Sequence, residues 1–441
     1  MIIELHAIQT FGPSNLNRDD TGNPKESLFG GVRRARISSQ CAKRAIRTSQ
    51  VFADTIGTPT GTRTKALIAE LVNRLVDAGI DSDTAWNHSE YFVEETMSSL
   101  SGEMKPQQIP QLFKKHGLSS EEAENLAKQI IEQILKAKKS KKDEKVRKST
   151  KLKQITALLM DQGVADEETN QDLAEHIINM KTTVLLYYSD DELQQMAQWI
   201  AEAIETGSYP KQLDKEFAKQ LDGRTSAPDI ALFGRMLAGH PKLNVDAACQ
   251  FAHALSTHAV HTAEFDYFTA VDDLTSDEQT GAGMLGLVAY NSATYYRCVR
   301  IDWEQLVHNL NGDVDLAART VDGFMKAFAL VVPSGMTNSF VNQHAPDFLM
   351  AVVRPTNDGQ SLLNAFELPV PTTRQGGYAA ESVQALGAYW GRVETAFRLG
   401  DPYVAVMNPH GFDLASDELA ASQLPDLRSW VDATVSAVSE E

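Results

Sequence analysis

Residues 33–47 read Arg-Arg-Ala-Arg-Ile-Ser-Ser-Gln-Cys-Ala-Lys-Arg-Ala-Ile-Arg, and this stretch holds the change from strand to helix that decides the fold. Arg33 to Ile37 is predicted to be extended. Ser38 and Ser39 are predicted to begin a helix that continues to about Val51, because serine is a preferred N-cap residue. A strand followed directly by an amphipathic helix is typical of folds that mix the two kinds of element.

Strand-like segments lie near both ends of the chain. Ile2 to Phe11 alternates apolar with polar residues and is predicted to form a first strand, which Gly12 and Pro13 should end. Further extended segments are predicted late in the sequence, at Thr294 to Trp303, Phe328 to Val332 and Phe348 to Val353.

Helical patterns fill most of the intervening chain, from Ile56 to about Leu255. Ser119 and Glu122 have the spacing of a capping box, and an apolar stripe follows them. Later helices are predicted around Val321–Ala329 and Ser382–Arg398. A sheet built from both chain ends around a helical insertion predicts an α+β fold, for which a ferredoxin-like split βαβ core is one layout.

The composition excludes several classes of protein. The 441 residues include three cysteines, which are far apart and form no C-x-x-C pair, so neither a disulfide framework nor a cysteine zinc site is expected. No apolar run approaches the roughly 20 residues of a membrane-spanning helix. The first residues lack the features of a secretory signal. We therefore expect a cytoplasmic protein with no membrane partner.

The charge is unevenly distributed. The formal net charge is −18, yet residues 30–50 hold six Lys or Arg side chains and no acid. Residues 136–153 hold ten such side chains against two acids, Asp143 and Glu144. Because screening acts over about 8–10 Å, such segments can bind anions locally even in an acidic protein. A lysine run is equally typical of a solvated surface, so the second segment alone does not decide between the two.

The predicted helix after Ser39 has a marked polar face. Gln40, Lys43, Arg44 and Arg47 follow the spacing i, i+3, i+4 and i+7, which places them on one side. The amides and hydroxyls of the two serines stand at the helix start, where an anion is favoured. A row of phosphates is the natural ligand for such a line, whereas a solubilising polar face is the alternative. The nearby Gly30-Gly31 pair would let backbone approach a ligand closely.

Three other patterns are candidates for chemical sites. Residues 281–286 match G-x-G-x-x-G, but without the strand, helix and distant acid of a dinucleotide site. Asp272 and Asp273 point in different directions on either a helix or a strand, which disfavours a shared metal ion. His253, His258, His261 and Glu264 are close in sequence but lack standard zinc spacing. If these residues did bind a metal ion, the protein could be a metal-dependent RNA-processing enzyme that uses His258, His261, Glu264 and Asp272. This is the rival to the hypothesis that follows from the family resemblance described next.

Four segments together resemble a known family. They are Asn15-Leu16-Asn17-Arg18-Asp19-Asp20 with Lys25, Phe29-Gly30-Gly31 and residues 34–45; Asp229-Ile230-Ala231-Leu232-Phe233-Gly234-Arg235-Met236; residues 266–274 (Asp-Tyr-Phe-Thr-Ala-Val-Asp-Asp-Leu); and Pro333-Ser334-Gly335 with Asn338-Ser339-Phe340 and Pro346-Asp347-Phe348. In order and spacing they resemble the CasC family, the backbone subunits of the type I-E CRISPR surveillance complex called Cascade.

The resemblance implies a fold with an RNA-recognition-motif-like palm, helical fingers and a thumb hairpin. The corresponding bounds in this chain are residues 1–56 for the first part of the palm, 57–252 for the fingers, 261–290 for the thumb, 291–410 for the second part of the palm and 411–441 for an acidic extension. The chain departs from the family pattern at Met336-Thr337, where members often have a Lys-Gln pair.

The resemblance also implies a function and its residues. Copies would polymerise along a CRISPR RNA with other Cascade subunits, hold its backbone, kink it with the thumb and leave its bases free for target DNA. No catalysis, metal or cofactor is implied. The RNA-binding residues would be Arg18, Lys25, Ser38, Gln40, Lys43, Arg44, Arg47 and Met236; the thumb wedge Tyr267, Phe268 and Thr269; and the strip facing target DNA Lys138, Lys139, Lys141, Lys142, Lys145 and Lys148.

The two aromatic residues of the wedge suit that role chemically, since a base stacked on an aromatic ring gains about 1–3 kcal/mol. Without the family context, two buried core aromatics would be the simpler interpretation. A single-strand RNA-binding protein that does not polymerise is the third hypothesis.

Overall fold

The computed structural model describes residues 1–97, 109–135, 148–178, 185–209, 223–237, 243–260, 264–270, 284–356, 359–397 and 400–439. The chain forms two compact units. The first consists of residues 1–60, 227–234 and 245–441, and the second of residues 61–226 and 235–244. The second unit is thus inserted into the first, within narrower bounds than the 57–252 expected for the fingers.

The strands of the described residues are β1 (Ile2–Ser14), β2 (Glu26–Phe29), β3 (Val32–Ile37), β4 (Thr62–Thr64), β5 (Leu186–Tyr188), β6 (Cys249–Phe251), β7 (Ala254–Ser256), β8 (Glu264–Ala270), β9 (Met284–Asp302), β10 (Phe348–Arg354) and β11 (Tyr403–Met407).

The α-helices among the described residues are α1 (Ser39–Arg47), α2 (Gln50–Ile56), α3 (Leu67–Asp77), α4 (Ser82–Met97), α5 (Ile109–Lys115), α6 (Ser120–Gln129), α7 (Lys148–Asp161), α8 (Glu167–Ile178), α9 (Asp190–Thr206), α10 (Pro228–Phe233), α11 (Trp303–Asn309), α12 (Val314–Leu330), α13 (Thr337–Phe340), α14 (Ala379–Phe397), α15 (Asp417–Ala421) and α16 (Leu427–Ser439). A π-helical turn (Ile130–Leu135) continues α6, and a 3₁₀ turn spans Leu363–Phe366.

The first unit is built on one antiparallel sheet. β1 lies between β10 and β9, β11 pairs with β10, and β6, β7 and β8 all pair with β9. β3 pairs with β7, and β2 forms the edge beyond β3. Four strands in the order β10-β1-β9-β7, with α1 and α2 after β1 and with α11 and α12 between β9 and β10, have the connectivity of a split βαβ unit. The α+β class predicted from sequence is confirmed.

Both faces of the sheet are covered. Ile3, Leu5 and Ala7 of β1 face a core that includes residues of α1, α2, α12 and α16. Ile8 faces the opposite side and belongs to a second core with Trp390 of α14. On that side the buried Arg354 guanidinium lies 3.1 Å from Glu4 and 2.5 Å from Glu394, so the buried charges are paired.

Three boundaries differ from the predictions. β1 does not end at Gly12-Pro13 but continues to Ser14, because an irregularity in its pairing with β9 after Phe11 accommodates the proline. The predicted helix to Val51 is two helices, since the Ser49 side chain caps α2. The predicted extended segment Phe328–Val332 is wrong, because its first three residues end α12.

Among its described residues, the second unit has helices and one short strand pair, β4 and β5. The predicted capping box at Ser119 and Glu122 is present and begins α6. A single apolar core runs through this unit, with Leu71, Phe113 and Ile155 fully buried. Among the described residues, no helix is long and apolar enough to cross a membrane.

The residues after 410 are not peripheral. Trp430 and Val431 of α16 are fully buried in the core beneath the sheet. The indole nitrogen of Trp430 donates to the carbonyl of Ala405 in β11 at 3.1 Å. The acidic residues described in this segment are exposed, and one of them, Glu418, accepts from the indole nitrogen of the buried Trp390 at 3.2 Å.

Candidate nucleic-acid interface

The first turn of α1 is capped by protein groups. The Ser38 hydroxyl accepts from the amide of Cys41 at 3.3 Å, while the Ser38 amide donates to Asn17 Oδ1 at 2.9 Å. The amide of Ser39 donates to His253 Nδ1 at 3.2 Å. These groups are therefore used within the first unit. The sequence predicted that they would be free to bind an anion, and in the structure they are not.

The polar face of α1 divides into two halves. Gln40 and Arg44 are exposed. The Lys43 ammonium instead lies 5.3 Å from the centre of the Phe233 ring. Arg47 is only 15% exposed, and its guanidinium is 3.7 Å from the Asp229 carboxylate. Lys43 and Arg47 thus pack towards α10, and the solvent-facing half consists of Gln40 and Arg44.

The loop Asn17–Lys25 is held in one shape by its own side chains. Asp19 Oδ1 accepts from the amides of Thr21 and Asn23 and from the Thr21 hydroxyl. Its pKa is lowered chiefly by the hydrogen bond from the Thr21 hydroxyl. Arg18 is exposed at the start of this loop and bridges Pro24 through its backbone. The loop presents a cation without needing an external ligand to order it.

Three cations come from neighbouring segments: Lys25 ends the loop Asn17–Lys25, Arg36 lies in β3, and Arg44 lies in the last turn of α1. Burial lowers the pKa of His253, and the positive charges of Arg36 and Lys25 lower it further. Burial raises the pKa of the Cys41 thiol, and Lys25 and Arg44 oppose that rise. The positive charges of these three segments therefore all act on the region around His253 and Cys41.

Arg36 was missed among the candidate residues, although it lies in the same basic stretch. Its neighbours show why the choice was ambiguous. Arg34 is fully buried and donates to the carbonyls of Phe29, Ser256, Phe366 and Glu367. Arg33 pairs with Glu26 at 2.8 Å. Arg36 also donates to a backbone carbonyl, that of Glu26 at 3.3 Å, but it is only partly buried and its charge acts with that of Lys25 on His253. We therefore group Lys25, Arg36 and Arg44 and call them the basic cluster.

The segment predicted as a thumb forms a two-stranded ribbon of β8 and the first part of β9, with Glu264 opposite Tyr290 and Ala270 opposite Met284. Residues 271–283 lie outside the described residues, as does the side chain of Thr269. Tyr267 is opposite Leu287, and Phe265 is opposite Ala289. Since side chains alternate along a strand, Phe265, Tyr267 and Leu287 share one face, and all three are about half exposed or more. We call this the apolar face.

Phe268 belongs to the other face. A Cβ built on Gly286, its partner across the ribbon, would collide with the Phe268 ring, so the ring covers the glycine. Glu264 and Asp266 share this face, and both raise the pKa of Tyr290, after the larger effect of burial. The two aromatic residues of the predicted wedge therefore point in opposite directions.

Met236 belongs to the second unit and is 84% exposed. The residues on either side of it are fixed. Arg235 is buried and donates to Glu192 at 2.8 Å and to the carbonyls of Leu243 and Tyr187. The amide of Leu237 donates to the side chain of Asn244 at 2.7 Å. An apolar side chain is thus displayed to solvent on a rigid segment.

Most of the lysines predicted to face target DNA lie outside the described residues. Lys138, Lys139, Lys141, Lys142 and Lys145 lie outside the described residues, and Lys148 is the first residue of α7.

Of the residues in the rival metal hypothesis, His261 and Asp272 lie outside the described residues, and His258 has another role. His258 is buried, its Nε2 accepts from the amide of Thr294 at 3.1 Å, and its Nδ1 donates to the carbonyl of Ala259 at 2.9 Å. Its ring stacks on Tyr378 with centroids 3.7 Å apart. Both ring nitrogens are therefore occupied. Among the residues that the structure describes, no group of three His, Cys, Asp or Glu side chains is placed to hold a metal ion.

The G-x-G-x-x-G match also has a structural explanation. Met284 to Gly286 lie in β9, whereas a dinucleotide site would require a helix to begin there. Gly286 serves the ribbon by accommodating Phe268.

The comparisons with known proteins agree with this geometry. The sequence model of the CT1975-like protein family matches residues 3–175 and 156–432. The chain belongs to the CT1975-like protein family. Members of this family are CRISPR-associated proteins. No curated protein is similar enough to count as a relative.

Solved structures extend the likeness over the whole length of this CT1975-like chain. One is a chain described as "CRISPR RNA-guided surveillance complex, pre-nicking", with 27% identity, a TM-score of 0.68 and coverage of 99% of this chain and 100% of that one. Another, described as "CRISPR RNA-guided surveillance complex", has 24% identity, a TM-score of 0.63 and coverage of 99% and 100%. The second supports the fold alone. The prediction of a CRISPR-associated protein is confirmed.

Proposed function

We propose that this protein is a CRISPR RNA-binding backbone subunit of a type I-E Cascade. Several copies line up along the guide, hold its sugar-phosphate backbone and kink it with the ribbon of β8 and β9. Its partners are the guide, neighbouring copies, other Cascade subunits and target DNA. Its role is structural rather than enzymatic.

The observation that carries the proposal is the end-to-end similarity to a chain of an RNA-guided surveillance complex, at 27% identity and with a TM-score of 0.68. Similarity over 99% of one chain and 100% of the other means that both units of this protein have counterparts there. A shared fold alone does not define function, so the site must be compatible as well.

The basic cluster supplies that compatibility. Lys25, Arg36 and Arg44 act on one region of a protein whose net charge is −18, and Arg18 and Gln40 are exposed on the same two segments as Lys25 and Arg44. Contacts to phosphates position a nucleic acid without reading its sequence. A guide varies in sequence between spacers and must keep its base edges free for pairing, so backbone contacts are the suitable chemistry.

The test is to express the protein with its operon neighbours and a CRISPR array, and to purify the assembly through a tag on a different subunit. We expect co-purified RNA of uniform length and several copies of this chain in an extended or crescent-shaped particle. A particle that contains RNA but a single copy would support a non-polymerising RNA-binding protein. Metal-dependent cleavage of RNA by the purified chain would contradict a purely structural role.

A matched pair of variants separates specific from general charge effects. Arg44→Ala removes an exposed cation of the basic cluster, whereas Arg428→Ala removes one on α16 that is 90% exposed and pairs with Asp432. The first should reduce the RNA recovered with the particle and the second should not. Equal recovery in both variants would argue against the basic cluster as the RNA site.

A further inference from the structure

The side chain of Asn15 joins two segments of the first unit that are distant in sequence. The residue is 1% exposed. Its Nδ2 donates to the carbonyl of Gly22 at 3.0 Å and to the carbonyl of Ala289 at 2.7 Å. One amide group thus uses both of its hydrogens on backbone carbonyls that are more than 260 residues apart.

Those two carbonyls belong to different parts of the proposed RNA site. Gly22 lies in the loop Asn17–Lys25, which presents Arg18 and ends at Lys25 of the basic cluster. Ala289 lies in β9 opposite Phe265, at the base of the ribbon that carries Tyr267 and Phe268. Asn15 therefore links the loop that would hold phosphates to the ribbon that would kink the guide.

The neighbouring residues tie the same segment to α1. Asn17 accepts the amide of Ser38 on its side chain and the amide of Lys25 on its carbonyl, both at 2.9 Å. Leu16, between the two asparagines, is buried in a core with Phe11 and Ile37. Asn15-Leu16-Asn17 is thus one fixed segment to which the loop, α1 and the ribbon are all attached.

A close backbone contact supports this segment from behind. A Cβ built on Gly335 would lie 2.6 Å from the carbonyl oxygen of Asn15 and 2.5 Å from that of Leu16. Asn342 is fully buried and donates to the carbonyl of Gly335 at 2.6 Å. The carbonyls of the segment therefore have little freedom to move.

We propose that Asn15 is a positioning residue that sets the base of the ribbon relative to the Asn17–Lys25 loop, so that the kink falls at a fixed place along the gripped backbone. This inference rests on the proposed function for its consequence, although its structural half does not require RNA. Only a side chain with two amide hydrogens can make both bonds, which is why the chemistry, rather than the size, of Asn15 matters.

The chain offers a closely matched control. Asn309 is also 1% exposed, and its Nδ2 donates to two backbone carbonyls, those of Ala231 at 2.9 Å and Asp246 at 2.7 Å. Asn15→Asp and Asn309→Asp each replace a double donor with an acceptor facing two carbonyls, and they differ in that only the Oδ1 of Asn309 accepts a hydrogen bond, from Gln305 at 2.8 Å. Both variants carry the cost of a buried carboxylate, whereas only the first removes the link between loop and ribbon.

The first experiment follows amide hydrogen exchange in the protein purified without RNA. For Asn15→Asp we expect exchange to rise about tenfold both in residues 16–25 and in residues 284–290, with β10 unchanged. Asn309→Asp should leave both segments as in the wild type. Faster exchange in only one of the two segments, or the same rise in Asn309→Asp, would overturn the inference. If Asn15→Asp does not fold, Asn15→Ala provides the same comparison without an added charge.

The second experiment examines the assembled particle. The Asn15 variant should retain most of the guide but lose the regular spacing of reactive bases along it in chemical probing. Unchanged spacing would overturn the inference. If the wild-type particle contains no guide, the proposed function fails, and the exchange result still decides whether Asn15 couples the two segments.

Discussion

Arg47 and Asp229 form an ion pair at 3.7 Å between the last turn of α1 and the start of α10, and the carboxylate is completely buried. By spacing, Arg47 is the fourth member of a line of polar side chains that face solvent. In the structure it is used instead to compensate a buried charge. The CT1975-like chain therefore has fewer cations available for RNA on this helix than its sequence suggests.

Replacing Arg47 should affect stability. Arg47→Ala leaves the buried carboxylate without this partner, so we expect the free energy of unfolding to fall by about 1–3 kcal/mol. Arg44→Ala removes an exposed side chain and should change it by less than about 0.5 kcal/mol. Denaturant unfolding of the protein alone measures both. Equal stability of the two variants would contradict the structural role of Arg47.

The opposite orientation of Tyr267 and Phe268 predicts different effects for their removal. Phe268→Ala uncovers Gly286 and should loosen the ribbon, which would appear as faster exchange of β8 amides in the protein without RNA. Tyr267→Ala should leave that exchange unchanged.

Replacing Tyr267 should also change how the ribbon contacts the guide RNA. Tyr267 lies on the apolar face with Phe265, and its loss should weaken stacking on a base by about 1–3 kcal/mol. A base that Tyr267 no longer holds should stack back into the guide. Chemical probing of the guide would therefore show lower reactivity at the kinked positions. If Tyr267→Ala leaves the reactivity pattern intact while Phe265→Ala does so as well, the apolar face does not contact bases.

The C-terminal segment should be indispensable for folding. Trp430→Ala removes a fully buried side chain and its hydrogen bond to Ala405, so we expect a loss of about 3–5 kcal/mol in the free energy of unfolding. Asp432→Ala removes an exposed acidic side chain of the same segment and should change the free energy of unfolding by less than about 0.5 kcal/mol. A Trp430→Ala protein with wild-type stability would show that residues after 410 are a dispensable extension.

The stability of the protein should decrease as the pH falls below about 6.5. Burial lowers the pKa of His258 below its usual 6.5, and the nearby Arg34 charge lowers it further. In that range the unfolded chain binds a proton at this residue and the folded chain does not, so acid favours unfolding. His258→Gln can still accept from the amide of Thr294 and should reduce this pH dependence, as followed by thermal unfolding between pH 5 and pH 7.5. The exposed His308→Gln is the control, and the same reduction in both variants would contradict the assignment.

Sequence patterns predicted the elements better than the uses of their side chains. β3 and the start of α1 are where Arg33–Ser39 indicated, because alternation and an N-cap serine are local signals. The continuation of β1 past Pro13 was not predictable, since it depends on a pairing irregularity with β9 almost 280 residues away.

The same limit applies to the site. Helical spacing correctly placed Lys43, Arg44 and Arg47 on one helix, but it contains no information on Phe233 and Asp229, which engage two of the three. His258 was considered as a metal ligand because the sequence does not reveal its actual partner, the amide of Thr294, which lies 36 residues away. The role of Asn15 depends on Ala289 in the same way, and no local pattern indicates it.

The most direct test of the proposed function is the salt dependence of guide binding. The affinity of the assembly for its RNA should be measured against salt concentration for the wild type, for Lys25→Ala combined with Arg44→Ala, and for Arg428→Ala. The double variant should lower the slope of log affinity against log salt by about 0.7 for each lost phosphate contact, whatever the guide sequence. Arg428→Ala should keep the wild-type slope. A double variant with the wild-type slope and affinity would show that the basic cluster does not hold the backbone of the guide.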